Sequence, residues 1–195
     1  CRKQHYEKLS IEFTIFAKMQ LTETNIAKQV LGNIPKIRGL MWEKIKEFQT
    51  KLEKMNGYVG HEAGTPQSEE LQKIAPLKQH IEGGLYTREL FMPKGSIIVS
   101  MIHKQNHPSF LLKGELSYLT DDGMVKRVKS PHKVFTKTGT QRVFYVHEDS
   151  IWCCVYKTDA QTFEEAEADV YTNDYRELPK ELILKNKLLW QESQV

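Results

Sequence analysis

The sequence predicts a mainly β protein with a helical segment before its strands and a short helix after them. Three observations carry this. Short apolar runs separated by turn residues fill residues 85–157. A helical periodicity precedes them, and a stretch rich in Gly and polar residues divides the two textures. Many short strands at this spacing belong to a β-sandwich or barrel.

The elements follow in order. Residues 5–20 fit two periods. Leu9, Ile11, Phe13 and Ile15 alternate as in a strand, whereas Leu9, Phe13 and Phe16 fit a helix. The helical neighbours favour a helix. A short helix is expected over 23–31, ending at Gly32. The clearest helix covers 36–55, where Ile37, Met41, Ile45, Phe48, Leu52 and Met55 recur at steps of three and four. Asn33 and Pro35 supply start signals and Asn56-Gly57 a stop. Residues 1–56 therefore read as an N-terminal helical arm. Residues 57–79 read as a linker, because GYVGHEAGTPQSEE at 57–70 is polar and Gly-rich. The barrel is expected over 80–160, with strands at 85–92, 96–103, 109–112, 115–120, 124–129, 133–136, 141–146 and 150–157. Asp121-Asp122-Gly123 marks a hairpin. Residues 161–195 read as a C-terminal helical extension, with helices at 163–169 and 180–190.

Composition narrows the class. The chain has 195 residues, 39% of them hydrophobic and 27% charged, which suits a packed protein rather than a disordered one. No apolar run approaches the roughly 18 residues of a membrane span. The formal charge of +3 is unevenly placed. Residues 1–60 hold 11 Lys and Arg against 6 Asp and Glu; the remainder holds 17 against 19. The cysteines are Cys1, Cys153 and Cys154, an odd count that argues against a disulfide framework and for a reducing compartment.

The stretch from Gly84 to Tyr156 carries a pattern. It opens with Tyr86, Arg88 and Glu89, followed by Pro93-Lys94-Gly95 and by Ile102-His103-Lys104. Gly114 follows, then Thr138 to Arg142 (TGTQR), then Glu148, Asp149 and Trp152. This resembles the cupin superfamily, and most closely the small cupin-like proteins of bacteriophages and prophages. The resemblance implies a cupin-type jelly-roll barrel. It also implies a phage protein of the host cytoplasm or the virion, a homo-oligomer, and other phage structural proteins as partners. It does not imply an activity, because the fold hosts many.

Carried over residue by residue, His103 matches the first histidine of the metal motif of cupins. Gln105 stands where a second would be, His107 precedes Gly114 near the place of the glutamate, and Arg142 replaces the last ligand. A Gln carbonyl is a poor transition-metal ligand beside imidazole, and Arg is always cationic. At an effective dielectric of about 20, a cation about 5 Å from a dication repels it by roughly 6–7 kcal/mol. Three readings stay open. These groups are hydrogen-bonded structure; or His103, Gln105, His107, Arg142 and Tyr156 line a pocket for a polar or anionic small ligand; or His103 and His107 hold a divalent metal, with His132 or His147. The first two need no cofactor.

Other residues have plainer readings. Ile97, Val99, Met101 and His103 are expected on one strand face, with Ile98, Ser100 and Ile102 on the other. Trp152, Cys154 and Tyr156 share a face and read as core. Arg88 and Glu89 alternate, so one faces inward, and Glu89 is expected to pair with a cation. Glu164, Glu165, Glu167 and Asp169 read as a solvated helix face. His132 and His147 read as exposed turn residues.

Residues 21–46 are similar to a helix-turn-helix, with Lys36, Arg38, Lys44 and Lys46 available to nucleic-acid phosphates. The competing reading is an apolar helical arm that packs on the barrel or on another subunit. Function then reads as an accessory or virion-associated protein that uses its barrel as scaffold and its arm for assembly. The alternatives are a metal- or ligand-dependent cupin enzyme and a DNA-binding regulator with a cupin sensor.

Overall fold

A computed structural model describes residues 12–18, 41–54, 58–62, 69–120 and 124–184. Among them run β1 (Glu12–Lys18), α1 (Met41–Leu52), β2 (Tyr58–Glu62), α2 (Glu69–Ile74), β3 (Leu77–Glu82), β4 (Leu85–Met92) and β5 (Ser96–Val99). Then come β6 (Ile102–His103), β7 (His107–Leu119), β8 (Val125–Lys129), β9 (His132–Thr136), β10 (Val143–Lys157), α3 (Phe163–Val170) and β11 (Tyr171–Thr172). A 3-10 turn covers Tyr175–Glu177, and residues 180–184 are helical. The described chain is thus mainly β, as expected, and its strand pairings are antiparallel.

Two long strands, β7 and β10, organise the sheet. The first part of β10 pairs with β5 through Val143↔Val99, and its second part pairs with β4 through Trp152↔Leu90. Along its length β10 also pairs with β7, and β7 carries β8 and β9 on its other edge. The β7–β10 register shifts between Val146 and Trp152, where the strands bend together. Such bulges let one sheet curve round an interior. Gly114 lies at this bend with φ +86°, and a Cβ there would run into the Asp149 carbonyl and the Ser150 side chain. The expected pairs of strands at 109–112 with 115–120, and 141–146 with 150–157, are therefore single bent strands.

The curved sheet separates two apolar clusters. The inner one holds Tyr86, Leu90, Met92, Ile98, Met101, Leu111, Leu116, Phe144, Trp152 and Tyr156, with α2 and α3 contributing Leu71, Ala166 and Val170. The outer one joins Ile97, Val99, Leu119, Val143 and Tyr145 to Ile45 and Leu52 of α1. The periodicity read over 36–55 thus buries α1 on its own sheet. Trp42 adds a hydrogen bond from Nε1 to the Gly139 carbonyl at 2.8 Å and stacks on Tyr175 at 5.5 Å.

Several expectations change. Residues 12–18, expected helical, form β1, which pairs with β2 and with the edge of β5. A segment whose apolar residues fit both periods is decided by what it can pair with. Residues 57–79, read as a linker, contain β2, α2 and the start of β3. The β3–β4 hairpin turns on Gly83-Gly84, both at positive φ, as a two-residue type I′ loop requires. The face expected to hold Ile97, Val99, Met101 and His103 is split. The strand breaks at Ser100–Met101. Ile97 and Val99 therefore face outward, while Met101 joins Ile98 in the inner cluster. The helix expected at 23–31, Lys36, Arg38 and the Asp121-Asp122-Gly123 tip lie outside the described residues, though β7 and β8 pair on either side of that tip as a hairpin should.

The bend gives a test. Gly114→Ala places a side chain in the left-handed region and into Ser150, and is expected to destabilise the fold by about 2 kcal/mol or more. A urea melt checks this; an unchanged midpoint would show that the bend does not need glycine.

Candidate functional site

Strands β4, β5, β6 and β10 point alternate side chains into the interior, and β11 closes over them. Between them lies a cavity of ≈ 40 Å³, counted as space for the centres of water-sized groups. Its wall is mostly apolar, with Leu90, Met92, Ile98, Met101, Phe144 and Trp152. The polar lining comes from Arg88, Ser100, His103, Cys154 and Tyr171. That space exceeds the roughly 10–15 Å³ that one water needs.

Arg88 is held in place by a buried network. Its Nε lies 3.4 Å from Glu167 Oε1 of α3, and the two side chains are 10% and 5% exposed. Gln79 donates to the same carboxylate oxygen at 2.9 Å, and Tyr86 donates to it at 3.4 Å. The guanidinium also sits 5.4 Å from the Tyr171 ring centroid. Glu167 is therefore not on a solvated face, as its acidic run suggested. Glu164 and Glu165 are exposed, and Glu165 closes a capping box with Thr162. Of the Arg88–Glu89 pair, Arg88 takes the inward ion pair.

His103 is fixed from several sides. Its N–H donates to the Thr140 carbonyl, its carbonyl accepts from Gly139 N–H, and β6 pairs it with Tyr171. Its Nδ1 lies 3.0 Å from the Tyr156 hydroxyl, which donates to the Tyr171 hydroxyl at 2.6 Å. The His107 ring stands 4.6 Å from His103 and 4.1 Å from Tyr156. His107 Nδ1 lies 3.1 Å from the Gln105 carbonyl, so it donates there, and the buried Nε2 has no partner among the described residues. Burial lowers both imidazoles, and neighbouring positive charge adds to it. His103 falls well below 6.5, through burial first and then His107 and Arg142; His107 falls to about 4, through burial first and with Arg142 adding. Burial likewise holds Tyr156 and Tyr171 well above 10, so both phenols keep their protons.

Among the residues singled out from the sequence, His103 lines the cavity. His107 and Tyr156 stand behind it, touching His103. Gln105 is half-buried and contributes its carbonyl. Arg142 is buried at 2% exposure but is not among the lining residues. It lies 4.8 Å from the Tyr118 ring, with N–H groups toward the Leu119 carbonyl and Thr136 Oγ1. His132 and His147 are strand residues rather than turn residues, beside the Tyr118 hydroxyl and the Ser117 hydroxyl respectively. Cys153 and Cys154 are buried free thiols; Cys153 is pushed up to about 11, first by burial, which keeps it from acting as a nucleophile near neutral pH. Lys44 stands on α1, and Lys46 is exposed there. Arg88, Ser100, Trp152 and Tyr171 line the cavity without being marked as pocket residues by the sequence. Tyr86, Arg88, Leu90 and Met92 share one strand period, and that alternation was the available signal.

No family model matches the chain, and no curated protein does. Solved structures do. An acetylacetone dioxygenase from Acinetobacter johnsonii matches at 17% identity and TM-score 0.36, over 42% of this chain and 58% of its own. The chain thus spans less than two thirds of that relative. Ectoine synthase from P. lautus matches at 10% identity and TM-score 0.40, over 48% and 70% of the two chains. A cupin-like protein from Thermotoga maritima matches at 10% and 0.36, over 43% and 68%. At these values the likeness assigns neither an activity nor a ligand.

The metal that the cupin resemblance implies can be tested against the donors. Among the described residues no group of three or more His, Cys, Asp or Glu is placed to hold a metal ion. His103 and His107 adjoin each other, but Arg142 lowers the proton affinity of both, and the same field opposes a dication. The described donor set does not fit a divalent metal. No described helix is long and apolar enough to cross a membrane.

Two outcomes test this electrostatic layout. Glu167→Gln leaves Arg88 charged and buried without its carboxylate, and is expected to destabilise the fold by about 3–5 kcal/mol in denaturant melts. His107 stays neutral in the folded chain down to about 4, whereas the unfolded chain protonates near 6.5. Stability from this group is therefore full above 6.5 and falls as pH drops toward 4, by up to about 3 kcal/mol. His107→Gln should lose that much less stability than wild type between pH 7 and pH 4. Parallel pH profiles for the two proteins would refute it.

Proposed function

We propose that this chain is a cupin-type small-molecule-binding protein, with its curved sheet as scaffold and the interior cavity as ligand site. The observation that supports this most is the joining of an apolar wall to one polar corner made by Arg88, His103 and Tyr171. Small-ligand sites combine these two features, the wall giving affinity and the few polar groups giving orientation. Assembly would use surfaces other than the inner face of α1, which is already buried on the sheet.

The sequence resemblance adds a setting to this reading: a phage-encoded accessory or virion-associated protein, homo-oligomeric, in the host cytoplasm or on the particle. Detection of the protein in purified particles would bear that setting out, and its absence from them would remove the virion part.

The ligand reading has its own test. Three- to five-carbon alcohols and ketones are titrated into the full chain while the Trp152 indole resonance is followed. At least one is expected to shift that resonance and to raise the melting temperature; a ligand at about 100 times its Kd stabilises by about 2.7 kcal/mol. A panel that moves neither, with small carboxylates of the same size equally silent, would overturn the reading.

A further inference from the structure

We propose that the cavity's polar corner selects a short 2-hydroxycarboxylate, its carboxylate on Arg88 and Tyr171 and its hydroxyl donating to His103 Nε2. This rests on the reading of the cavity as a ligand site and adds the chemical class of the ligand.

The hydrogen-bond chain sets the polarity of the corner. A phenol has one proton to give. The Tyr156 hydroxyl donates to Tyr171, so it can only accept from His103 Nδ1. A neutral imidazole with its proton on Nδ1 has a bare lone pair on Nε2. His103 is neutral near physiological pH because burial and adjacent cations oppose its charging. The Tyr171 hydroxyl, having accepted from Tyr156, keeps its own O–H to donate. Arg88 can only donate, and Glu167 engages it through Nε. Arg88 and His103 both pack against the Tyr171 ring: the Arg88 guanidinium carbon is 5.4 Å and the His103 ring 5.2 Å from its centroid. All three line the cavity.

Two donors, one of them cationic, therefore stand beside one neutral acceptor. Their complement is an anionic acceptor with a donor on the adjacent carbon. A simple fatty acid leaves His103 Nε2 unpaired. A 2-amino acid sets an ammonium beside Arg88. An alcohol offers the guanidinium N–H groups that Glu167 does not engage only a neutral acceptor. The 2-hydroxycarboxylate meets all three groups, and its alkyl tail meets Met92, Ile98, Phe144 and Trp152. The ≈ 40 Å³ available to group centres favours a tail of two or three carbons.

The test needs only the full chain and four probes of one size: 2-hydroxybutyrate, butyrate, 2-aminobutyrate and butan-2-ol. Binding is read from the Trp152 indole resonance and the His103 ring ¹⁵N shifts. 2-Hydroxybutyrate is expected to bind about tenfold tighter than each of the others, the worth of one buried polar partner. The His103 Nε2 shift should move toward that of a hydrogen-bonded acceptor. Tyr171→Phe, which keeps the ring, should weaken 2-hydroxybutyrate more than butan-2-ol. Equal binding of butyrate and 2-hydroxybutyrate, or tightest binding of butan-2-ol, overturns the assignment while leaving the cavity a ligand site. The same holds if the acids fail and the neutral alcohols and ketones bind. Silence from acids and neutral compounds alike overturns both.

Discussion

The burial of Arg88 is the constraint on which the interior depends. A guanidinium does not deprotonate in a protein, so its charge needs a partner wherever it is buried. Its inward position follows from strand alternation, because Tyr86, Leu90 and Met92 on the same face belong to the core. Glu167 supplies the carboxylate, and only by docking α3 over β3 and β4, where Gln79 and Tyr86 hold the same oxygen. Docking α3 fixes what comes next in the chain. Val170 is buried, and Tyr171 passes directly into β11, which pairs with β6 and so with His103. One ion pair thereby places the hydroxyl that accepts the hydrogen bond from Tyr156 and sets the tautomer of a histidine on another strand. A buried pair of this kind is weak evidence for net stability. Its effect is to specify one arrangement of five elements.

The second constraint is the bend shared by β7 and β10. Each strand is too long for one flat layer, and Gly114 opposite the Ser150 bulge lets both turn without a clash. On one side of the bend, alternation along the same two strands puts Leu116 and Phe144 in the inner cluster and Leu119, Val143 and Tyr145 in the outer one; on the other side, Leu111 and Trp152 return to the inner cluster. Covering the outer cluster is the role of α1. Its apolar stripe is therefore explained by packing within the chain, and the positive charge of Lys46 lies on the exposed remainder of that helix.

The fold was legible where side-chain period and turn chemistry agreed. β4, β8 and β9 fell within a residue of their expected bounds, because Gly84, Gly123 and Pro131 punctuate runs of plain alternation. The β3–β4 hairpin at Gly83-Gly84 is not among the expected elements, because Lys78, His80 and Glu82 make the outer face of β3 polar. β1 was misread because a strand that adds to a sheet edge owes its existence to the partner, which the local sequence does not contain. The site was legible in part. His103 could be placed, whereas Arg88 and Glu167 could not be paired, since 78 residues of chain separate them. Glu167 looked solvated because its helical neighbours Glu164 and Glu165 are, and a single inward carboxylate leaves no mark on a charge count. The flip at Ser100–Met101 was invisible to a period-two reading, yet it is what brings Met101 and His103 to the cavity side.

The position of His103 shows why matching a metal motif and holding a metal differ. A metal-binding histidine needs a free lone pair, and His103 Nε2 has one by the hydrogen-bond logic of Tyr156 and Tyr171. What differs is the company it keeps. A dication needs several such lone pairs, with carboxylates to offset its charge. Here the lone pair is bordered by a cation and a phenol O–H. Field and geometry together reverse the sign of the guest: the corner that would repel a dication attracts an anion, and the histidine retains its accepting role with a hydroxyl proton in place of a metal. Residue type alone could not decide this, because the same imidazole serves either guest and the neighbours decide between them.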